Sequence, residues 1–338
     1  MARMQALCAF AAAVILVAGP VSAAEDAVLR AAKKEGKVTW YTSVSLSVAQ
    51  EVCKKFNAKN LGVQCVVHRD GSEKLYQRYL QEDKGNVRVA DVLHTSDIGQ
   101  YLTLKGQHLL PYRPKGTENF NPAFLSKDDS WTVLRAGVFI PFYNTKKVTP
   151  AEAPKSWKDF ADPKWKDRLT HAHPNYSGFV VNGMVALRKI LGDGYYQQLA
   201  DLKPKIVQSA VAPIALVARG EADAAVGASS YEVFESIKKG EPLKVVVPTE
   251  GVALVESPNA ILKKAPNPNA AKMFVDYLHG LEAQQFLADR FLYVGHPDVK
   301  YPEGLPSLKE LKLHVLEPER LQMEKKGVQE LFRKVFGV

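Results

Sequence analysis

The chain has 338 residues, of which 46% are hydrophobic, and this fraction excludes an intrinsically disordered protein. Its 45 Lys and Arg residues outnumber its 36 Asp and Glu residues, which gives a net charge of +9. The basic residues are scattered along the chain instead of forming a stripe, so we expect no binding to nucleic acid.

The first 24 residues have the three-part pattern of a secretory signal peptide. Arg3 supplies a positive charge, residues 6–18 form an uncharged apolar run, and a Gly-Pro pair with small residues follows. The run is shorter than the roughly 20 apolar residues that a membrane-spanning helix needs, which disfavours the alternative of an N-terminal anchor. We therefore expect residues 1–24 to be removed and the mature protein to reach the periplasm.

Two cysteines, Cys53 and Cys65, remain in the mature chain. An even pair in an oxidising compartment predicts a disulfide bond. The pair does not form a C-x-x-C redox motif, and two cysteines fall short of the four ligands of a structural zinc site. We expect a disulfide and no metal site.

Strand and helix patterns alternate in the first part of the mature chain, in the order that builds a parallel sheet. A helical pattern at 26–35 precedes a β-branched and aromatic run at 37–42. The pattern continues with a helix at 45–59, a strand at 63–69, a helix at 73–82, a strand at 87–94 and a helix at 97–105.

An extended run at 132–144 then breaks this rhythm, because it is longer than an ordinary strand. A second α/β unit follows, with strands at 168–173, 206–209 and 222–227 and helices at 178–190, 194–202, 212–220 and 231–239. The chain ends with extended segments at 243–248 and 251–255, one long amphipathic helix at 270–290 and a helical, basic tail from residue 302.

Two α/β units joined by two extended crossings indicate a first lobe that is discontinuous in sequence. The predicted lobe one comprises residues 25–135 plus 252–338, and the predicted lobe two comprises residues 136–251. The pair of crossings between them predicts a hinge.

Six short segments are informative through their order and spacing. They are VTWYTS at 38–43, GS at 71–72, ADVLHTSD at 90–97, VFIPFYN at 138–144, ARGEADAAV at 218–226 and SPNAIL at 257–262. Together they resemble the type II periplasmic solute-binding proteins of ABC importers, in the iron(III)/thiamine/phosphonate group. The resemblance implies a periplasmic-binding-protein-like II α/β fold that closes on a small-molecule ligand and delivers it to an ABC permease in the inner membrane. We expect a monomer with no catalytic residues and no cofactor.

Ligands of open α/β sheets bind beyond the carboxyl ends of the strands, and here the loops at these ends are rich in hydroxyl groups and lead into helices. Helix N-termini suit anions. The predicted ligand-binding residues are Ser43, Ser45, Gly71, Ser72, Thr95, Ser96, Tyr176, Ser177, Gly178, Ser229, Ser230 and Tyr231 in the loops, with Tyr143 at the hinge and His173 at a strand end. Capping explains any one hydroxyl equally well, so the prediction rests on several loops that converge, whereas Asp97 is predicted to cap a helix.

The predicted ligand is a small anion such as a phosphonate, a sugar phosphate or an organic acid. Iron(III) held with an exogenous anion is the alternative. Iron-binding members of the group that the chain resembles use paired tyrosines after the GEAD strand, and this chain has only Tyr231 there. Ser43 and Ser45 stand where an acidic or imidazole ligand would be expected, and the adjacent Tyr195 and Tyr196 are predicted to pack in the core.

Three further alternatives stay open at this stage. A cationic solute such as thiamine or a polyamine is one, and an exported sensor-docking protein is another. An exported hydrolase would need a nucleophile beside a general base. The chain has neither a G-x-S-x-G nor an H-E-x-x-H motif, but His68, His94, His171 and His173 lie near predicted strand ends.

Overall fold

A computed structural model describes the backbone from residue 20 and the side chains from residue 26. Most of the predicted signal peptide, residues 1–24, therefore lies outside the described residues, and its removal stays a prediction. Among the described residues, none of the helices combines the length and apolar character needed to cross a membrane.

The alternation predicted for the first part of the chain is present. Its helices are α1 (Pro20–Glu35), α2 (Leu46–Ala58), α3 (Ser72–Lys84) and α4 (Ile98–Leu104), and its strands are β1 (Lys37–Thr42), β2 (Gln64–Arg69), β3 (Val92–His94) and β4 (Leu109–Leu110). Strand β1 lies between β2 and β3 and is parallel to both. The β-branched and aromatic residues of β1 favour the strand because they pack well on a buried, pleated surface.

The strand predicted at 87–94 is shorter than expected, because β3 begins only at Val92. The carboxylate of Asp91 accepts the backbone N–H of Thr39 at 2.7 Å and that of Asn267 at 2.7 Å. The Asp91 side chain thus accepts the backbone N–H of Thr39, which a longer β3 would need for its own hydrogen bond to β1.

The second α/β unit follows the long strand β5 (Thr132–Asn144), whose bounds are those predicted. It contains β6 (Leu169–Ala172), α5 (Gly178–Leu191), α6 (Asp193–Asp201), β7 (Lys205–Val207), α7 (Ala212–Ala218), β8 (Ala224–Ser229), α8 (Ser230–Lys238) and β9 (Leu243–Val245). Strand β6 lies between β7 and β8 and is parallel to both. Tyr195 and Tyr196 are buried, as predicted.

The two crossings are β5 and the antiparallel strand β10 (Val252–Leu262). They unite the strands into one sheet of order β2-β1-β3-β10-β5-β8-β6-β7, with β4 and β9 paired to β10 and β5. The late part of β5 pairs with β8, whereas the late part of β10 pairs with β3. The predicted architecture of two α/β units joined by two extended crossings is therefore present, while the lobe boundaries stay a prediction.

The C-terminal region differs from expectation in two ways. The single helix predicted at 270–290 is two helices, α9 (Pro268–His279) and α10 (Leu281–Ala288), because Gly280 between them has extended backbone with φ −72° and ψ 156°. The predicted helical tail begins only at α11 (Pro318–Phe336), after the short strand β11 (Leu313–Val315). Helix α11 packs on α4 of lobe one and also on α5 and α6 of lobe two.

A disulfide joins Cys53 of α2 to Cys65 of β2, as predicted, with the two Cα atoms 5.2 Å apart. It lies at the edge of an apolar cluster in which Trp40, Phe56 and Phe274 are fully buried. Each such side chain contributes roughly 2–3 kcal/mol through burial. The disulfide and this cluster together hold α2 against β2.

Candidate functional site

A cavity of about 200 Å³ lies between the loops at the strand ends of both lobes. Arg135 of the crossing strand β5 contributes to its wall. Lobe one contributes Ser43, Arg69, Asp70, Gly71, Ser72, Lys74 and Ser96, and lobe two contributes Tyr176, Ser177, Phe179, Gln208, Ser209, Ala210, Val211, Ser229, Tyr231 and Glu232. The cavity is thus where open α/β sheets place their ligands.

The structure brings most of the predicted ligand-binding residues to this cavity. Those that line it are Ser43, Gly71, Ser72, Ser96, Tyr176, Ser177, Ser229 and Tyr231. Direct contact with a ligand stays a prediction for each of them.

Two predicted hydroxyl groups do not line the cavity, because they complete local structure instead. The Thr95 hydroxyl is buried and donates to Gln100 Oε1 at 2.8 Å. Ser230 Oγ accepts the backbone N–H of Val138 at 3.1 Å and so joins α8 to β5. Both side chains serve the fold, as capping residues commonly do.

Two predicted ring side chains also lie outside the cavity wall. Tyr143 is buried in the core at the end of β5, where it pairs with Ala224 of β8. The ring of His173 packs against Phe332 of α11, with ring centroids 4.9 Å apart. Burial lowers the pKa of His173, so its imidazole behaves as a packing ring.

Arg135 is the cavity residue that the sequence reading missed. It is only 2% exposed, and its Nη2 donates to Ser96 Oγ at 3.1 Å. Its Nε and Nη1 are buried without a hydrogen-bond partner in the described part of the chain. A buried charge without a partner is costly, so this guanidinium is a candidate for binding an anionic group. The signal that could have revealed it is a lone charge within the apolar run of β5.

The groups around Arg135 act on the pKa of its guanidinium in opposite directions. Burial lowers the pKa of its guanidinium, and the Tyr231 and Glu232 groups act in the opposite direction. The guanidinium carbon lies 5.6 Å from the centroid of the Tyr231 ring, which gives a cation–π contact. An arginine in such a site stays protonated.

Serine hydroxyls surround the guanidinium. Ser96 Oγ lies 3.3 Å from Ser43 Oγ and 3.0 Å from Ser257 Oγ, and the Ser96 N–H donates to Ser72 Oγ at 3.0 Å. Ser229 Oγ is buried and has no partner among the described residues. The cavity therefore combines a cation with hydroxyl donors, the groups that wrap an oxyanion.

Two further cations stand at the rim. Arg69 is exposed, and its Nε donates to the Val44 carbonyl at 3.2 Å. Lys74 Nζ lies 3.8 Å from Asp70 Oδ1, so Asp70 offsets part of its charge. These groups raise the positive potential at the entrance, which favours the approach of anions.

Tyr231 and Glu232 form the acidic side of the cavity. Tyr231 Oη donates to Glu232 Oε1 at 2.7 Å and accepts the backbone N–H of Ser45 at 3.3 Å, which places Ser45 behind the tyrosine. Burial raises the pKa of both the Tyr231 phenol and the Glu232 carboxyl. The phenolate form that would suit a hard metal ion is thereby disfavoured.

The two lobes touch beside the cavity at two glycines. A Cβ atom on Gly71 would lie 2.6 Å from the Tyr176 carbonyl oxygen, and one on Gly178 would lie 2.8 Å from the Ser96 carbonyl oxygen. Gly178 thus faces the Ser96 backbone and not the cavity. Asn182 Nδ2 donates to that same Ser96 oxygen at 3.2 Å. Only glycine permits such close approach, and the lobes are therefore in contact.

A partly buried ion-pair cluster between α11 and lobe one completes this junction. Lys325 Nζ lies 2.7 Å from both Glu73 Oε2 and Asp97 Oδ2. Burial alone lowers the pKa of Lys325, but Asp97 and Glu73 outweigh it and the pKa is raised. Asp97 also caps α4, as predicted, because its Oδ1 accepts the N–H of Gly99 at 3.1 Å.

The donor set was also considered for a metal ion. Within the described residues, no group of three or more His, Cys, Asp and Glu side chains has the arrangement to hold one. The cavity itself offers Asp70, Glu232, Tyr176 and Tyr231 as oxygen ligands. Iron held by the protein's own side chains would thus depend on two phenols and two carboxylates.

Comparison with known proteins places this cavity in context. The family described as "Bacterial extracellular solute-binding protein" matches residues 89–315, more than half of the chain. The "Major ferric iron-binding protein" of Neisseria gonorrhoeae is 28% identical over 290 residues, which cover 81% of this chain and 86% of that one. An uncharacterised protein of Haemophilus influenzae is 27% identical over 279 residues, 78% of each chain.

Solved structures share the fold. The periplasmic binding protein AfuA from Actinobacillus pleuropneumoniae, with fructose-6-phosphate bound, has a TM-score of 0.79 at 22% identity, over 90% of this chain and 99% of that one. Iron-bound HitA from Pseudomonas aeruginosa has a TM-score of 0.76 at 24% identity, over 88% of this chain and 99% of that one. At these identities the likeness establishes the fold alone.

Proposed function

The chain belongs to the family of bacterial extracellular solute-binding proteins, and we propose that its cargo is a small anion bound by Arg135 between the two lobes. The family match confirms the predicted membership among solute-binding proteins of ABC importers, and the structural neighbours confirm the predicted fold class. The nature of the anion is the part that needs argument.

The unpartnered N–H groups of Arg135 carry this proposal. A phosphate, phosphonate or carboxylate that enters the cavity is attracted by the guanidinium charge, and a shift of the side chain toward it pairs the Nε and Nη1 groups that the chain leaves without a partner. The hydroxyls of Ser43 and Ser229 add donors from both lobes. Because the contacts come from both lobes, the bound anion favours the closed state. The sugar phosphate bound to the structural neighbour AfuA is a ligand of this chemistry.

The proposed working cycle follows from the family. The protein captures its anion in the periplasm and delivers it to an ABC permease of the inner membrane. It acts as a monomer, without a cofactor and without nucleic acid.

Iron(III) bound together with an exogenous anion is the second candidate. It is supported by the 28% identical relative that is named for ferric iron and by Tyr176, Tyr231 and Glu232 in the cavity wall. In this alternative Arg135 holds the anion, and the iron sits against the phenols. A hydrolase is less favoured, because no histidine of the described residues lines the cavity to act as a general base beside a serine.

The test is a thermal-shift and calorimetric screen of the mature protein after its bound ligand has been removed by denaturation and refolding. Probes are inorganic phosphate, methylphosphonate, glycerol phosphate, citrate and ferric chloride with and without citrate. An anion at 100 times its Kd is expected to stabilise the protein by about 2.7 kcal/mol.

Arg135→Met is expected to abolish this stabilisation, and the matched control Arg219→Met, at a side chain 61% exposed, is expected to retain it. Stabilisation by ferric ion with the visible absorption band of a phenolate complex, and by no anion alone, would establish the iron alternative. No response to any probe would reject both.

A further inference from the structure

The carboxylate of Glu232 lines the same cavity as Arg135 and is held by Tyr231. Tyr231 Oη donates to Glu232 Oε1 at 2.7 Å, and the Ser45 N–H in turn donates to Tyr231 Oη at 3.3 Å. This chain of hydrogen bonds runs from lobe one to α8 and fixes the orientation of the carboxylate. It leaves Oε2 without a hydrogen bond from the described residues.

Arg135 and Glu232 do not contact each other in an ion pair, although each charge stabilises the other at a distance. Within the described part of the chain Arg135 has no ion pair, and its only hydrogen bond goes to Ser96. Both side chains line the cavity of about 200 Å³, which therefore offers a ligand one cation and one carboxylate. A purely anionic ligand would be attracted by the first group and repelled by the second.

The neighbouring carboxylate, Glu235, is already satisfied. It pairs with Arg290 Nη1 at 2.9 Å, one turn further along α8. Glu232 is therefore the acidic group of this helix face that is available to a ligand. Burial raises the pKa of Glu232, while Arg135 and Arg69 act to lower it, and a cation on the ligand would favour its ionised form further.

The space beside Glu232 has room for a second ligand group. A more open cavity of about 400 Å³ shares Val211 and Glu232 with the first one and continues past Ser45 and Glu235. Glu232 thus stands between the enclosed anion-binding end and this outer space, which is where a substituent on the anion would extend.

We propose that the cargo is a zwitterion whose acid group binds Arg135 and whose ammonium group binds Glu232, which makes Glu232 the residue that determines specificity. This inference rests on the proposed capture of an anion at Arg135. It follows because a site built to bond a donor rejects the analogue that lacks it, since the buried acceptor would stay unpaired.

The experiment compares matched ligand pairs by calorimetry. The pairs are phosphoethanolamine against ethyl phosphate and β-alanine against propionate, measured on the wild type, Glu232→Gln and the control Glu330→Gln, an exposed carboxylate of α11. In the wild type and the control, we expect at least one ammonium ligand to bind about tenfold or more tightly than its partner, as one lost charge pair predicts.

Glu232→Gln is expected to remove this preference, both by weakening the ammonium ligand and by tightening its anionic partner. Tyr231→Phe, which keeps the carboxylate but removes its hydrogen bond, is expected to reduce the preference by a smaller factor. Thermal melting checks that each variant is folded.

The outcomes separate the two proposals. If a pair binds with equal affinities, and Glu232→Gln leaves the ratio unchanged, the zwitterion inference is wrong while anion capture stands. If none of the four ligands binds, and the screen of simple anions is negative as well, the proposed function itself fails.

Discussion

Two cations of this protein, one partly buried and one fully buried, lie in opposite circumstances. Lys325, on α11, contacts the carboxylates of Glu73 and Asp97 at 2.7 Å each. Arg135, in the cavity wall, has one neutral hydroxyl partner and two N–H-bearing nitrogens without any. Arg135 is 2% exposed and the Lys325 side chain is 20% exposed, and only Lys325 has carboxylate partners within the chain.

The difference distinguishes a charge that stabilises the fold from a charge that is available for binding. A buried charge that the chain itself neutralises holds elements together, and removing one member leaves the others unpaired. A buried charge that the chain leaves without a partner is a candidate for binding a charged ligand. The comparison predicts that substitutions of the two residues have opposite effects on stability and on binding.

The largest expected effect is that of Lys325→Met on stability. The substitution leaves Glu73 and Asp97 without their cation, and we expect the free energy of unfolding to fall by about 3 kcal/mol or more. Urea titration measures it. The neighbouring Lys326→Met, at a side chain 87% exposed, is the control and should change little. Equal stability of Lys325→Met and wild type would show that the ion pairs of Lys325 do not stabilise the fold.

Next in size is the effect of Arg135→Met on binding. We expect about a hundredfold loss of affinity for the anion found in the screen, equivalent to about 2.7 kcal/mol, because the ligand loses its only buried cation. The unliganded protein should be as stable as wild type or more stable, since an uncompensated charge has been replaced by an apolar group. Strong destabilisation of the unliganded variant would show that Arg135 is structural, like Lys325.

A smaller effect is expected where the lobes meet. The Cβ atom of Gly178→Ala would approach the Ser96 carbonyl and the Asp97 Cβ atom to 2.8 Å, so the lobes cannot reach their present contact. We expect about tenfold weaker binding, about 1.4 kcal/mol, and a larger radius of gyration of the liganded form in small-angle scattering. Gly194→Ala meets nothing within 4 Å and is the control. Unchanged binding and radius would mean that this contact does not limit closure.

The smallest expected effect concerns Glu256 of β10, a largely buried carboxyl group that loses its charge when it is protonated. Burial, with a contribution from Glu317, raises the pKa of Glu256 from 4.5 to about 7. The folded state then binds a proton that the unfolded state releases, so stability is greatest below about pH 4.5 and falls as the pH rises toward 7.

We expect about 1.3 kcal/mol less stability from this group at about pH 8 than at about pH 6, and Glu256→Gln should flatten that part of the profile. The measurement is the difference between the urea-unfolding profiles of the two proteins across this pH range. An identical slope in both would show that Glu256 is ionised in the folded state.

Much of the fold was open to sequence reasoning, because apolar periodicity reports which face of an element is buried. The bounds of β1 and β5 match the prediction, since both are runs of strand-forming residues buried along nearly their whole length. The failures lie where a single residue overrides the pattern. The Asp91 carboxylate takes the hydrogen bond that the main chain of a longer β3 would accept. Gly280 divides into two helices a segment whose apolar pattern predicts one.

The site was predicted only in part, and its chemistry least of all. Loops after strands must converge at one sheet edge, so the hydroxyls of Ser43, Ser96 and Ser229 could be placed near the cavity. Whether a side chain points into the cavity or supports the loop depends on tertiary contacts, which is why Ser230 was misplaced. Arg135 escaped prediction because it lies within a buried strand, whereas loop position is the signal that sequence offers for a ligand site.

The place of Arg135 on β5 has a mechanical consequence. It lies opposite Ser257, next to the irregularity in β10 between Ser257 and Pro258, on a strand that both lobes share. Strand β5 pairs with β10 at Arg135 and with β8 from Phe139 onward, so a force on the guanidinium acts directly on the backbone that joins the two parts of the sheet.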